Sequence, residues 1–209
     1  MPSDTGLILH GAPWSVYVRI VRLVLAAKGL ACRVDPVDAF APGGPPAEHL
    51  SRQPFGRIPA LSHGAVVLYE TAAITRYLDE AFPGPALQPD TPLARARMAQ
   101  AIGLADSYVY PCLVWQIYVP RSRPAPDLAV IAAATPRAET CLDALCALIG
   151  PGFGAARPGL ADFHLLPMID YFLKTPEGRR MLPARPALAQ WWARMAGLPG
   201  VAEILSDAG

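Results

Sequence analysis

The stretch Gln53-Pro54-Phe55-Gly56-Arg57-Ile58-Pro59-Ala60-Leu61 decides the fold of this chain. Its two prolines and one glycine predict a loop that runs directly into an apolar strand beginning at Pro59. Because proline has no N–H, Pro59 must lie where the sheet needs no donor. We predict a cis Ile58–Pro59 bond, since only X-Pro bonds reach the cis form readily. A cis bond would turn the backbone N–H and C=O of Ile58 outward, where an extended peptide could pair with them. The alternative is an ordinary loop before a hairpin.

The segments on both sides predict the order strand, helix, strand, loop, hairpin, helix. Residues 7–10 read as a buried strand, and Ser15 precedes a helix whose apolar spacing ends at a basic turn and Gly29. An alternating strand covers residues 32–37, a glycine- and proline-rich loop covers residues 40–46, and one helical turn covers residues 48–52. Residues 66–69 complete the hairpin, and residues 71–81 form an amphipathic helix.

The second half of the chain reads as helical throughout. Residues 83–91 are rich in proline and form the best domain boundary. Thr91 and Pro92 are typical of the start of a long helix reaching residue 119, which Pro111 should kink. Residues 127–149, interrupted by Pro136, and residues 160–173 and 186–196 supply further helices. No glycine-rich loop precedes a Lys-Ser/Thr pair, so nothing supports nucleotide binding.

Composition excludes several function classes. The 18 Lys and Arg residues nearly balance 17 Asp and Glu residues, which gives no electrostatic argument for a nucleic acid or membrane partner. No apolar run approaches the ~20 residues of a membrane span, and residues 1–4 lack the features of a signal peptide. The four cysteines show no metal-binding spacing. We therefore expect a cytoplasmic protein with structural thiols and no metal.

The element order, the stretch 53–61 and the following Glu70-Thr71 pair resemble the glutathione S-transferases. In that family the stretch reads N-P-x-G-x-[VI]-P-x-L, followed by [DE]-[ST], and only Gln53 departs from it. The resemblance implies an α/β thioredoxin-like domain over residues 1–82 with a mixed four-stranded sheet, a linker over 83–91, and an all-α bundle over 92–209. It also implies glutathione as co-substrate and attack of its thiolate on a small apolar electrophile.

Ser15 is the candidate catalytic residue. From its position alone it is an N-cap, which satisfies an orphan N–H. The segment from His10 to Ser15, His-Gly-Ala-Pro-Trp-Ser, is similar to the Y-G-x-P-x-S motif of serine-type, phi/theta-like members, in which the serine hydroxyl hydrogen-bonds the glutathione sulfur. A hydroxyl donor and a helix N-terminus both favour a thiolate. Tyr17 is the rival, but we expect it to pack on the helix. No cysteine precedes residue 32, which disfavours mixed-disulfide chemistry.

The resemblance implies further contacts to glutathione. Glu70 would pair with the α-ammonium of the γ-glutamyl unit, and Thr71 would bind its α-carboxylate at a helix N-terminus. The loop over residues 39–46 lacks the base that family members use for the glycine carboxylate. The remaining glutathione-binding candidates are Arg57, Ile58 and Pro59, with His49 or Arg52 as substitutes for the missing base.

Aromatic residues suggest where the second substrate lies. Trp14 leaves the same turn as Ser15, and Tyr108 and Trp115 lie on the long helix that walls the electrophile site in this family. Interdomain packing is an equally good interpretation of these residues. Asp162 and His164 read as structural residues of an apolar helix.

Two functional alternatives stay open, and a homodimer is expected. Glutathione-dependent isomerisation or dehalogenation would use the same site, and a fold relative without catalytic activity would serve as a binding or scaffold protein. Two-fold dimers are the commonest oligomers, and the family pairs its third and fourth helices across the subunits. Here those helices offer Ile74, Tyr77, Met98 and Ile102.

Overall fold

The computed structural model of the chain describes residues 6–150 and 152–206. These residues divide into two compact units. The first contains the described residues up to Ala86 together with those from Gly200 onward, and the second runs from Leu87 to Pro199. Residues 200–206 therefore belong to the first unit, although the sequence analysis assigned them to the helical domain.

The first unit is built on a mixed four-stranded sheet, as predicted. Strands β1 and β2 are parallel, and the pairs β1–β3 and β3–β4 are antiparallel, which gives the order β2-β1-β3-β4. Helices α1 and α3 pack on each other, and α10 packs on α1. The elements are β1 (Leu7–His10), α1 (Val16–Lys28), β2 (Arg33–Asp35), α2 (Ala47–Arg52), β3 (Ala60–His63), β4 (Val66–Tyr69), α3 (Thr71–Ala81) and α10 (Val201–Ser206).

Helix α1 shows how sequence signals fix an element. Ser15 precedes it in extended conformation, and Gly29 ends it in the left-handed region at φ 66°. Its apolar side chains are buried, and the basic residue of its last turn, Lys28, is buried as well. The Lys28 ammonium donates to the carbonyl oxygens of Asp79 and Pro85 and forms an ion pair with the Asp79 carboxylate. Lys28 thus ties the end of α1 to the end of α3.

The second unit is helical, as predicted. Its elements are α4 (Pro92–Leu104), a π-helical segment (Ala105–Tyr118), α5 (Val119–Ser122), α6 (Leu128–Leu148), α7 (Leu160–Leu173), α8 (Pro176–Met181) and α9 (Pro186–Ala196). The π-helical segment packs against both α6 and α7. Helix α7 is buried almost all round, which explains its strongly apolar sequence.

The two prolines that were predicted to disturb their helices behave differently. Pro111 lies within the π-helical segment, whose wider turns follow α4 without a break. Pro136, predicted to interrupt its helix, does not do so, because α6 runs continuously from Leu128 to Leu148. Pro136 is exposed, and its carbonyl accepts a hydrogen bond from the Thr140 hydroxyl. The carbonyl that loses its helical partner through the missing N–H is that of Ala132, which is exposed, so no unpaired acceptor is left in the core.

The predicted dimer residues do not form an available face. Ile74 is fully buried within the first unit, and Met98 and Ile102 are buried within the second. Tyr77 is half-buried, and its hydroxyl hydrogen-bonds His63. Ile74, Met98 and Ile102 therefore offer little surface to a partner subunit, and a homodimer through α3 and α4 stays a prediction.

Candidate functional site

The turn after β1 packs closely against the loop before β3. A Cβ atom added to Gly11 would lie 2.5 Å from Cγ2 of Val18 and 3.4 Å from Cβ of Ile58. Only glycine fits there, because real Cβ atoms do not approach side chains so closely. The contact places the turn that carries Ser15 beside Ile58 and Pro59, which the sequence separates by more than 40 residues.

Ser15 lies at the N-terminus of α1 and is buried, at 8 % exposure. The Val18 N–H donates to its Oγ over 3.5 Å, the long limit of a hydrogen bond. Among the described residues, the Ser15 hydroxyl hydrogen has no acceptor. Ser15 is therefore a weak cap whose own donor is left for another group, at the end of a helix where the dipole favours negative charge.

Ile58 and Pro59 have the predicted backbone geometry. The Ile58–Pro59 bond is cis. Ile58 is half-buried, and within residues 6–150 and 152–206 no hydrogen bond satisfies its N–H or its C=O. Since unpaired backbone groups are rare in protein interiors, this pair is a natural docking position for an extended peptide.

The three candidate bases near this loop differ in availability. His49 is buried, and its Nε2–H donates to the Arg57 carbonyl oxygen over 2.7 Å. His49 thus anchors the loop through Nε2, which disfavours its contact with an external carboxylate, and that contact stays a prediction. Arg52 pairs with Glu48 one turn earlier on α2. Arg57 is exposed and, among the described residues, has no ion-pair partner.

Glu70 and Thr71 mark the beginning of α3. Glu70 has φ 69° and ψ 114°, a left-handed conformation that is strained for a residue with a side chain. Its carboxylate is exposed and caps nothing, while its carbonyl accepts the first helical bond, from the Ile74 N–H. Thr71 is buried beside it. Strain of about 1–3 kcal/mol at a residue whose side chain makes no cap hydrogen bond is typical of a functional position.

Sequence reasoning missed a buried polar chain across the sheet. The His10 Nδ1 lies 2.8 Å from the Asp35 carboxylate, and its Nε2 lies 2.8 Å from the Ser62 hydroxyl. His10 occupies the position of the family's motif tyrosine, and this replacement was the available signal. Burial lowers the pKa of His10 against the opposing effect of the Asp35 hydrogen bond, so we assign a neutral ring that donates to Asp35 and accepts from Ser62.

The hydrogen bonds from Asp35 through His10 to Ser62 join the same residue types as a serine hydrolase triad. The site around Ser62, however, offers no oxyanion hole. Ser62 lies on β3, which is hydrogen-bonded on both sides by β1 and β4. The backbone N–H groups of β3 are used in its hydrogen bonds to β1 and β4. They are therefore not available to stabilise an oxyanion, as a serine hydrolase requires. We therefore interpret the chain from Asp35 through His10 to Ser62 as a cross-strand tie that aligns three strands.

The predicted aromatic residues lie in both units. In the first, Trp14 stacks on Phe40 with ring centroids 5.6 Å apart, which joins the Ser15 turn to the loop after β2. In the second, Tyr108 and Trp115 are exposed on the π-helical segment, and Trp115 meets Tyr110 edge-to-face. Tyr118, at the end of the same segment, packs on Tyr171 of α7.

Metal and membrane functions find no support in the part of the chain that the structure describes. No group of three or more histidine, cysteine or acidic side chains could hold a metal ion there. Over the same residues, no helix is both long and apolar enough to cross a membrane. The four cysteines are free thiols, and the Cys112 thiol donates to the Ala134 carbonyl oxygen inside the second unit.

Comparison with known proteins supports one family. The family model described as "Glutathione S-transferase, N-terminal domain" matches residues 9–86. Glutathione S-transferase 3 of Zea mays is 32 % identical over 206 residues, covering 92 % of this chain and 90 % of that protein.

Two further comparisons cover different lengths. The theta class glutathione S-transferase of Xanthomonas axonopodis pv. citri, solved with glutathione bound, superposes with a TM-score of 0.81 at 27 % identity, covering 100 % of this chain and 99 % of that one. A stringent starvation protein A homolog of Coxiella burnetii is 37 % identical over 91 residues, covering 44 % of this chain and 42 % of that protein. With the full-length match to the maize protein, the chain belongs to the glutathione S-transferase family.

Proposed function

We propose that this protein binds glutathione in its first unit and adds the glutathione thiolate to a small apolar electrophile. The proposal depends most on Ser15, whose hydroxyl hydrogen has no acceptor among the described residues and which lies at the N-terminus of α1. A thiol has a pKa of about 8.5 in water, and lowering it by ~2 units needs about 2.7 kcal/mol. One charge-assisted hydrogen bond and a helix N-terminus are sufficient for that.

The other contacts follow the shape of glutathione. The unpaired N–H and C=O of Ile58 would hold the cysteinyl unit as an added strand does. Glu70 would pair with the α-ammonium of the γ-glutamyl unit, while Thr71 would bind its α-carboxylate at the beginning of α3. Of the three candidate bases, Arg57 would bind the glycine carboxylate, because it is exposed and without an acidic partner among the described residues.

The electrophile is expected beside the sulfur. Trp14 lies one residue from Ser15 and is half-buried against Phe40, so it offers an apolar surface near the reacting atom. Tyr108 and Trp115, both exposed, stay a prediction for the same substrate.

The substitution Ser15→Ala tests the proposed function. The conjugation rate with an activated aryl halide should fall by about one to three decades, because the hydroxyl acts mainly on the thiolate. The glutathione Kd from calorimetry should change little. Ser122→Ala, an exposed hydroxyl in the second unit, is the matched control. A wild-type rate in Ser15→Ala would reduce Ser15 to a helix cap.

Two alternatives use the same fold. Isomerisation or dehalogenation with glutathione would need the same thiolate and would be separated from conjugation by its products. A non-catalytic scaffold role is favoured by the loop over residues 39–46, which lacks the base that family members use for the glycine carboxylate. The free donor of Ser15 argues against that role. Glutathione binding without turnover of any electrophile would support it.

We also propose a homodimer, through a surface other than the one first predicted. Phe55 is 72 % exposed and meets Tyr69 edge-to-face, and Val66 and Val67 are exposed beside it on β4. Because β4 is an edge strand, such a patch favours association unless it is covered. Light scattering at micromolar concentration decides, since a mass near 22.3 kDa contradicts the dimer.

A further inference from the structure

We propose that His49 and Gln53 are positioning residues, which hold the Arg57 peptide on both sides and thereby fix the backbone of Ile58 for glutathione. The Gln53 side-chain oxygen accepts the Arg57 N–H over 3.0 Å and the Phe55 N–H over 2.8 Å. The His49 Nε2–H donates to the Arg57 carbonyl oxygen over 2.7 Å. Arg57 is therefore bound through its backbone donor and its backbone acceptor alike.

Helix α2 supplies both anchors. His49 and Gln53 are four residues apart, so they lie on one face of the helix and its C-cap. The Gln53 N–H also bonds the His49 carbonyl oxygen. Both side chains are nearly inaccessible, with 1 % exposure for His49 and 2 % for Gln53. A polar side chain buried to this extent needs its partners, because an unpaired donor or acceptor costs free energy.

The two anchors differ in chemistry in a way that suits their partners. The amide oxygen of Gln53 has two lone pairs and accepts two N–H groups. We assign His49 the tautomer with the proton on Nε2, because Nδ1 is buried and has no partner within the described residues. The single ring donor of His49 is thus directed at the Arg57 carbonyl oxygen.

The anchors act one residue before the proposed docking position. Ile58 follows Arg57 directly, and β3 begins only at Ala60. The hydrogen bonds of the sheet therefore do not hold the peptide between Arg57 and Ile58. Gly56, just upstream, lies in the left-handed region at φ 65°, which glycine adopts without strain. Without His49 and Gln53 the loop would fix neither Arg57 nor Ile58 before glutathione binds, and ordering them would weaken binding.

This inference rests on the proposed function, and its test separates the two. His49→Phe removes the donor with little change of volume, and Gln53→Met removes the acceptor. In each variant we expect the glutathione Kd and KM to rise about tenfold, while kcat at saturating glutathione stays within about twofold. Gln53→Glu keeps the acceptor and should restore a Kd close to that of the wild type. Gln190→Met, an exposed glutamine in α9, and His63→Phe are the matched controls.

The outcomes divide as follows. Wild-type glutathione affinity in both His49→Phe and Gln53→Met overturns the positioning role and leaves the proposed function intact, even if both variants melt at a lower temperature. A wild-type protein that does not bind glutathione overturns both. If either variant fails to fold, amide chemical shifts of the wild-type protein decide. Glutathione should perturb the Arg57 and Ile58 amides, and unperturbed amides in the bound protein contradict the proposal.

Discussion

The indole N–H of Trp191 donates a hydrogen bond of 2.7 Å to the carboxylate of Asp162, although the two residues lie on different helices of the second unit. The same carboxylate accepts the N–H of Gly154 over 2.8 Å and the N–H of Gly159 over 2.9 Å. Asp162 thereby joins the start of α7 to α9 and to the loop between α6 and α7. The sequence analysis predicted a structural Asp162, and the structure shows three donors that converge on its carboxylate.

Removing this carboxylate should destabilise the second unit strongly. Asp162→Ala leaves three N–H donors without an acceptor, namely the buried indole of Trp191 and the half-buried amides of Gly154 and Gly159. A buried donor left unpaired costs about 1–3 kcal/mol. We expect a loss of about 3 kcal/mol or more in the free energy of unfolding, and a smaller loss for Asp162→Asn, which keeps one oxygen. Urea unfolding followed by tryptophan fluorescence measures both. Asp90→Ala, an exposed acid, is the control and should change stability by less than about 0.5 kcal/mol.

His164 should make stability depend on pH. Burial lowers the pKa of His164 from 6.5 to about 4, while its Nδ1–H donates to the Leu160 carbonyl oxygen. The unfolded state binds the proton more readily, so the contribution of the neutral ring is complete above pH 6.5 and is lost as pH falls towards 4. At 1.36 kcal/mol per pH unit, the loss approaches about 3 kcal/mol.

The variant His164→Leu tests this dependence. The free energy of unfolding should depend less steeply on pH between 6.5 and 4 in the variant. Part of the pH dependence will remain, because burial also lowers the pKa of His10. Equal slopes for the wild type and the variant would contradict the role of His164. Far-UV circular dichroism across a pH series provides the data.

Arg57 should recognise the glycine carboxylate of glutathione. Arg57→Ala should raise the glutathione Kd about fivefold, because an exposed charge pair contributes up to ~1 kcal/mol. The same substitution should not affect binding of a glutathione ethyl ester blocked at the glycine carboxylate. Arg52→Ala, which breaks only the pair with Glu48, is the control. Equal losses for the acid and the ester would assign Arg57 another role.

Replacing Glu70 by glycine should raise the stability of the protein and lower its affinity for glutathione. Glu70→Gly relieves the backbone strain at φ 69° and should raise stability by about 1 kcal/mol. It also removes the carboxylate, so the glutathione Kd should rise roughly tenfold. Glu70→Gln and Thr71→Ala should show the loss of affinity without the gain in stability. Calorimetry and thermal melts measure the two quantities, and a Glu70→Gly variant that binds as tightly as the wild type would contradict the assignment.

The first unit was predictable where glycine and proline mark its boundaries. The bounds of β4 and α3 agree with prediction because Gly64 opens a hairpin turn and Glu70-Thr71 begins a helix with clear periodicity. β2 is shorter than the alternation suggested, since alternation continues beyond the residues that β1 pairs. Helices α8 and α10 were missed because six residues are too few to show a helical period.

The sequence could predict the residues proposed to contact glutathione, but not the buried residues that hold them in place. Ser15, Ile58 and Thr71 each occupy a motif position that local sequence can reveal. His49 is buried because the loop that contains Arg57 folds back over α2. The spacing of apolar residues in α2 does not predict this contact. The chain from Asp35 to Ser62 depends in the same way on strand register, which sequence alone leaves open.

The position of α10 has a consequence for dissecting this protein. Val201, Ile204 and Leu205 are buried, and their helix packs on α1, the same helix that begins at Ser15. The first unit is therefore discontinuous in sequence, and cutting the chain once near residue 86 cannot release it whole. A fragment ending there would expose the apolar side of α1 to water. Segments from opposite ends of the chain thus form one folding unit, which completes only after the intervening helices have been synthesised.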